Sequence, residues 1–393
     1  MAKKKEYTFI DELLDAELFL DVAQESFACV EDPRSSDNCT YPLFQILFMS
    51  FAAVIGGANT IGAIHQYLEV KEALFQELLG IERTPCYATL WWLMTRVNPG
   101  QLVQAMKNWA ERLPHEAREK LIAIDGKRLR AASVKNEVHI VEAWDSVRGL
   151  VLAQNKTESK SNEITAIPEL LDLIDVKEAT ITIDAAGCQK TIVQKIVEKE
   201  GHYVIALKGN QGMLQAEAIN FFEQARQVEY EHVPCDRYSQ TEKGHGRIEE
   251  REITITTDLS WLDNKEDWKG LGSFIEVVSR RTVKGKTTEE KRYYISDRKM
   301  RAEQAGSIIR KHWDIENGLH WIMDMTFQED LSTANIGHAA ENLSILRRMA
   351  INLFKGKAKK GAGVTAKRRK AAWDDHYMVE LFAQFILEPE LAM

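Results

Sequence analysis

The chain has 393 residues, 45% hydrophobic and 28% charged, with 51 Lys and Arg against 59 Asp and Glu for a formal charge of −8. That composition excludes intrinsic disorder and collagen-like repetition, and five cysteines with neither a CxxC pair nor zinc-type Cys/His spacing exclude a disulfide scaffold and point to a reducing, cytoplasmic setting. The length suits about two domains, and an acidic total argues, taken alone, against a nucleic-acid partner, because phosphate binding needs concentrated Lys and Arg.

The opening MAKKKEYTFIDELLDAELFLD sets acids directly behind its lysines, unlike a signal peptide. Residues 10 to 113 read mostly as helices. The longest apolar stretch, Tyr41 to Gly62, is interrupted by Pro42, Gln45, Gly56, Gly57 and Asn59, so a buried helix is expected rather than a membrane span. Leu90 to Val97 and Gln101 to Leu113 carry apolar residues at helical spacing, and Pro114 closes the block. From residue 121 the pattern turns to short apolar runs. Strands are predicted at 121–124, 138–144 and 149–155, a helix near 163–174, a strand at 179–184, a helix at 189–199 and a strand at 202–208. This order predicts a mixed α/β sheet whose first three strands form a meander and whose later strands are joined by crossover helices. Between about 209 and 300 a helix near 212–227, a polar loop at 239–251 and strands at 251–257, 273–279 and 291–296 predict a β-rich insertion. A long helix from Ala302 to about Met323 and another at 339–354 precede a basic tail.

Charge is polarised along this order. Phe9 to Asp37 holds nine acids and one base, whereas Lys355 to Lys370 holds eight bases and no acid. Such a tail is either a solvated end or a nonspecific DNA contact, and the molecular total conceals it.

Three carboxylates stand out. Asp125 follows LIAI and precedes Gly126, and Asp184 follows ATITI and precedes Ala185 and Ala186, so both are expected at the C-terminal tips of buried strands, where ligands collect in α/β sheets. Each is also a candidate cap for the turn that follows. Glu316 falls on a helical stripe of Ile309, Trp313, Glu316, His320 and Met323, where a charge needs a partner, either Lys127 or Arg128 in a buried ion pair or a shared site with the two aspartates. Three carboxylates at one point repel unless a cation neutralises them, and oxygen ligands favour magnesium or manganese. Two such ions about 3.5 to 4 Å apart support phosphodiester displacement.

The runs AIDGKRLR (123–130), KSNEITAIPELLDLID (160–175), TIDAAGCQK (182–190), YVIALKGNQ (203–211), KGHGRIEER (243–251), RKHWDIENGLHWIMDMTFQED (310–330) and AAENLSILRRMAINL (339–353) together resemble the ISAs-type insertion-sequence transposases, the H-repeat-associated family, in family order. EDPR (31–34) and the 41–61 stretch resemble the helical domain that precedes the catalytic one. The resemblance implies an RNase H-like DDE fold with a β-rich insertion at about 209–300, divided as a helical domain at 1–113, a catalytic domain at 114–354 and a basic tail at 355–393. It implies Asp125, Asp184 and Glu316 as catalytic and metal-binding residues, with Mg2+ or Mn2+, two ions, as cofactor. A metal-activated water then cuts the element end, and the freed 3′-hydroxyl attacks the target. The implied partners are double-stranded DNA, as terminal inverted repeats and target, and a second copy in a dimer or higher multimer. No membrane partner is implied.

Further candidates each have a plain structural alternative. Asn162 and Glu163 either cap a helix or support the metal site, and His320 and Asp324 either orient Glu316 or belong to the core. Lys127 and Lys208 lie beside the strand tips, His245 and Arg247 sit in a glycine-rich loop, and Lys367, Arg368 and Arg369 end the basic run. All seven are DNA-contact candidates. Trp313 and Trp321 are expected to pack rather than stack on bases.

Overall fold

A computed structural model describes residues 16–35, 39–112, 120–129, 138–157, 163–244, 246–356 and 362–383. The chain opens with helices α1 (Ala16–Phe27), α2 (Leu43–Ile55), α3 (Ile61–Val70), α4 (Glu72–Leu79), α5 (Tyr87–Met94) and α6 (Pro99–Arg112). Pro99 opens α6 where its missing N–H costs nothing, and Asn98 Oδ1 accepts from the Gly100 amide at 2.9 Å. Eleven of the thirteen residues of α2 are buried, as expected of a core helix. A Cβ at Gly56, just past α2, would collide with the Tyr67 ring, so glycine there allows α3 to pack closely. Among the described residues no helix is long and apolar enough to cross a membrane.

Strands β1 (Leu121–Leu129), β2 (Val138–Asp145) and β3 (Leu150–Thr157) form the expected antiparallel meander. Helix α7 (Glu163–Leu173) leads to β4 (Thr180–Ile183), and α8 (Lys190–Glu198) leads to β5 (His202–Leu207), so that β1, β4 and β5 run parallel. Helix α9 (Gly212–Gln227) precedes β6 (Cys235–Gly244), β7 (Arg247–Thr256), β8 (Ser273–Val283) and β9 (Lys286–Ser296). All nine strands make one sheet in the order β3-β2-β1-β4-β5-β9-β8-β7-β6. The β-rich insertion therefore extends the main sheet through an antiparallel β5–β9 pairing. Two sequence expectations change here. The polar loop at 239–251 is largely strand, and β1 continues four residues past Asp125.

The expected helix from Ala302 to Met323 is interrupted. It comprises α10 (Ala302–His312), a turn at Trp313, a π-helical segment at Glu316–His320 and α11 (Trp321–Met325). Helix α12 (Ala339–Gly356) then crosses between the helical block and the sheet. Asn352 on α12 accepts from the Val151 amide and donates to the Val151 carbonyl, both at 2.8 Å, which satisfies a residue of the edge strand β3. Asn342 donates to the carbonyls of Met94 at 3.0 Å and Val97 at 2.9 Å, sealing the end of α5.

The tail departs most from expectation, because α13 (Val364–Trp373) and α14 (Asp375–Ala383) fold back onto the helical block. Phe382 lies among Phe19, Phe48 and Phe51, with ring centroids 5.8, 4.8 and 6.4 Å away. Arg368 is buried over the Phe327 ring and donates to the carbonyls of Val54, Ala58 and Thr326 and to Asn59 Oδ1. Arg368 thus ties α2 to the segment after α11 and is unavailable to DNA, contrary to the sequence expectation. Replacing it with alanine strands several buried carbonyls, so urea unfolding should show a loss of about 3 kcal/mol. The neighbouring Arg369, which is exposed, should tolerate alanine within about 0.5 kcal/mol.

Candidate active site

The β1–β4 register pairs Ile124 with Ile183, which sets the next residues, Asp125 and Asp184, side by side. Asp125 stands within β1 rather than at its tip, and its Oδ1 accepts from the Gly126 amide at 2.8 Å. A Cβ at Gly126 would strike the Glu163 carboxylate, which places that predicted supporting acid against the backbone next to Asp125. Asp184 lies just past the end of β4, as expected. Its Oδ1 accepts from the amides of Ala186 at 3.0 Å and Gly187 at 3.3 Å, so it also caps the following turn. The capping and site readings are compatible, because the cap uses one oxygen and the residue is exposed.

Glu316 reaches this point through the π-helical segment. A π turn adds one residue per turn and shifts every later side chain around the axis. The simple 3-to-4 stripe holds at Ile309, His320 and Met323, which are buried, and fails at Trp313, in the turn that follows α10, and at Glu316, where the π segment begins and the side chain is 51% exposed. Trp313 and Trp321, expected to pack, are 43% and 58% exposed, and the Arg292 guanidinium lies over Trp313 at 4.9 Å. Gly318 faces the Trp144 ring, and a Cβ added there would lie only 3.3 Å from it, so glycine keeps this segment close to β2.

His320 links the acids. Its Nδ1 lies 3.5 Å from Glu316 Oε2 and 3.8 Å from Asp125 Oδ2, and its Nε2 donates to the buried Glu142 carboxylate at 3.0 Å. Ligand atoms of Asp125, Glu316 and His320 all fall within 4.8 Å of one another, a spacing that suits one cation. Asp184 stands outside that tight group but close enough for its charge to act on Asp125. Burial, offset by His320 and reinforced by the charges of Glu316 and Asp184, pushes the Asp125 carboxyl up to about 7. The hydrogen bond with His320 holds Glu316 below the ordinary range against the cost of its partial burial. For His320 burial opposes the charge, yet Glu142, Glu316 and Asp125 together raise it to about 9. Without a metal, the imidazolium therefore supplies the cation between the acids. The donors fit a hard divalent ion: two carboxylates converge, a third lies beside them, and one of the converging pair is held largely out of water without a full ion-pair partner.

The other candidates divide. Lys127 is buried and contacts Asp324 Oδ1 at 2.5 Å, Glu329 Oε2 at 3.6 Å and the His320 carbonyl at 3.4 Å. It locks the π-helical segment and Asp324 to β1 and does not pair with Glu316. Lys208 is exposed at the end of β5, Arg247 is exposed beside Glu249 at 2.8 Å, Arg369 is exposed, and Lys367 donates to the Phe354 carbonyl at 2.6 Å. Asn162 and His245 lie outside the described residues.

Sequence reasoning missed two residues. His312 stands four positions before Glu316, its Nδ1 is 2.9 Å from Thr182 Oγ1, and it feels both Asp184 and Glu316, while burial keeps its pKa below the ordinary value. The spacing of four was a usable signal. Glu142 lies directly across from Asp125 in the β1–β2 register, a placement visible only once the strands are paired.

The chain matches the family described as Transposase DDE domain over residues 116–353 and the associated family DDE_Tnp_1-associated over residues 24–110. It is 36% identical over 371 residues to the protein YbfL of Escherichia coli strain K12, covering 91% of this chain and 97% of that protein. It is 35% identical over 370 residues to YhhI of the same strain, an H repeat-associated protein that carries a transposase name, again covering 91% and 97%. A third relative, YncI of Escherichia coli O157:H7, also carries a transposase name and is 36% identical over 367 residues, or 90% of this chain and 92% of that protein. The domain matches and the near full-length relatives agree with the resemblance read from the motifs, and the chain belongs to the DDE-domain transposase family as an H repeat-associated member.

Proposed function

We propose that this transposase cuts and joins DNA phosphodiesters at a site made by Asp125, Asp184 and Glu316, with Mg2+ or Mn2+ held by these carboxylates. The observation that carries the reading is the placement of Asp125 on β1 beside Asp184, which follows the parallel strand β4, with Glu316 near Asp125 at the start of a π-helical segment. The β3-β2-β1-β4-β5 half of the sheet supports an RNase H-like core, with β6 to β9 as its insertion. The division into 1–113 and 114–354 stays a proposal that must accommodate a shared core, because α12, α13 and α14 join both parts.

In this reading bound metal supplies a lowered water pKa and charge neutralisation at the phosphate. The chain's own residues do the rest. Asp125 offers Oδ2, since Oδ1 is engaged by Gly126, and Asp184 offers the oxygen not used in its cap. Glu316, half exposed, stands on the solvent side, where DNA enters. No side-chain nucleophile is needed. DNA as partner, element ends and target alike, follows from the transposase assignment, with Lys208, Arg247 and Arg369 as exposed contacts. A dimer or larger assembly, expected where two ends are joined together, and a cytoplasmic location complete the proposal.

Asp125→Asn, Asp184→Asn and Glu316→Gln should each abolish cleavage of a supercoiled plasmid bearing the element ends and leave DNA binding intact in a gel-shift assay. Full cleavage by Asp125→Asn would sink the assignment. The metal-free protein should also show a pH signature. His320 is raised to about 9, so its contribution is complete below about pH 6.5 and is lost as pH rises through 9. Urea unfolding without metal should therefore show a fall of about 2 to 3 kcal/mol over that window, and His320→Asn should remove the step near pH 9, leaving the fall that belongs to Asp125.

A further inference from the structure

Behind His320 runs a chain of buried charges that the cleavage mechanism does not use. Glu142, Arg348 and Glu329 are all essentially without solvent contact. Arg348 on α12 donates from Nε to Glu142 Oε1 at 2.6 Å, from one terminal nitrogen to Glu329 Oε2 at 2.8 Å, and from the other to Glu329 Oε1 and the Ser344 carbonyl. Glu142 spends its second oxygen on His320 Nε2. Next in sequence, Arg347 contacts Glu329 Oε1 at 3.6 Å and donates to the Asn59 carbonyl of the helical block at 2.9 Å.

Burying this many ions is a poor way to gain stability. Desolvation costs several kcal/mol per ion, and apolar residues of the same volume often serve equally well. What the arrangement does provide is orientation. Glu142 sits opposite Asp125 in the strand register, and it fixes the one ring whose far nitrogen faces both Asp125 and Glu316. A carboxylate behind an imidazole at a metal site sets the direction of that ring and the placement of what it faces.

We propose that Glu142 and Arg348 are positioning residues, which hold His320, and through it the Asp125 and Glu316 carboxylates, in the arrangement that accepts a divalent cation. The inference rests on the reading of Asp125 and Glu316 as metal ligands. It also gives α12 a role beyond packing, since the helix that carries Arg348 is the one on which the N-terminal helices rest.

The test is Mn2+ binding by the full-length protein without DNA, followed by the electron paramagnetic resonance signal of free Mn2+. Glu142→Gln and Arg348→Met should keep the parental far-UV circular dichroism and bind Mn2+ about 10- to 100-fold more weakly. Glu276→Gln serves as control. It removes an equally buried carboxylate, bonded to Arg226 at 2.6 and 2.7 Å far from the site, and should leave Mn2+ affinity unchanged. If Arg348→Met does not fold, Arg348→Lys, which keeps the charge but loses the fork between two carboxylates, is measured in its place. Parental Mn2+ affinity in folded Glu142→Gln, or an equal loss in Glu276→Gln, overturns the proposal. Asp125→Asn separates the two levels. If it too binds Mn2+ normally, the metal-ligand reading itself fails, whereas loss in Asp125→Asn with normal binding in Glu142→Gln removes only the positioning role.

Discussion

Carboxylates of like charge cannot share a small volume in ionised form without a cation, and much of this molecule's construction answers that constraint. Asp125 and Glu316 meet at His320, with Asp184 on the adjoining strand. Behind them the positive charges of Lys127, Arg347 and Arg348 interleave with Asp324, Glu142 and Glu329. The result is an acidic surface on an alternating ionic floor.

The same floor explains why the helical block and the sheet share one core. Helix α12 presents Asn352 to the edge strand, Asn342 to α5, Arg347 to Asn59 and Arg348 to Glu142. Arg368 completes the tie by binding carbonyls of both α2 and the segment after α11. Through these residues the N-terminal helices are bonded to the same ionic network that backs Asp125 and Glu316.

Much of this was legible in the sequence. The meander, the crossover helices and the position of Asp184 follow from short apolar runs bounded by turns, which their length and flanking breakers mark as strands between helical stretches. Other features were not, for physical reasons. Strand β6 reads CDRYSQTEKG, without an apolar face, and forms because β7 pairs along its length rather than because its side chains bury. The turn at Trp313 and the π segment that starts at Glu316 leave no mark in hydrophobic spacing, which is why both residues were expected inside. The basic run from Lys355 to Lys370 looked uniform by charge. One of its arginines nevertheless belongs to the core, because a guanidinium can satisfy four carbonyl or amide oxygens that would otherwise be stranded. The net charge of −8 conceals a similar polarity, since acids gather from Phe9 to Asp37 and bases from Lys355 to Lys370.

The central claim concerns where a cation sits. Diffraction from crystals of the full-length protein grown with Mn2+, collected at the manganese absorption edge, tests it most directly. The account predicts an anomalous peak bounded by Asp125, Glu316 and Asp184, with Glu142 still behind His320. A well-ordered structure with manganese bound elsewhere, and the His320 ring still closing the gap between Asp125 and Glu316, would contradict it.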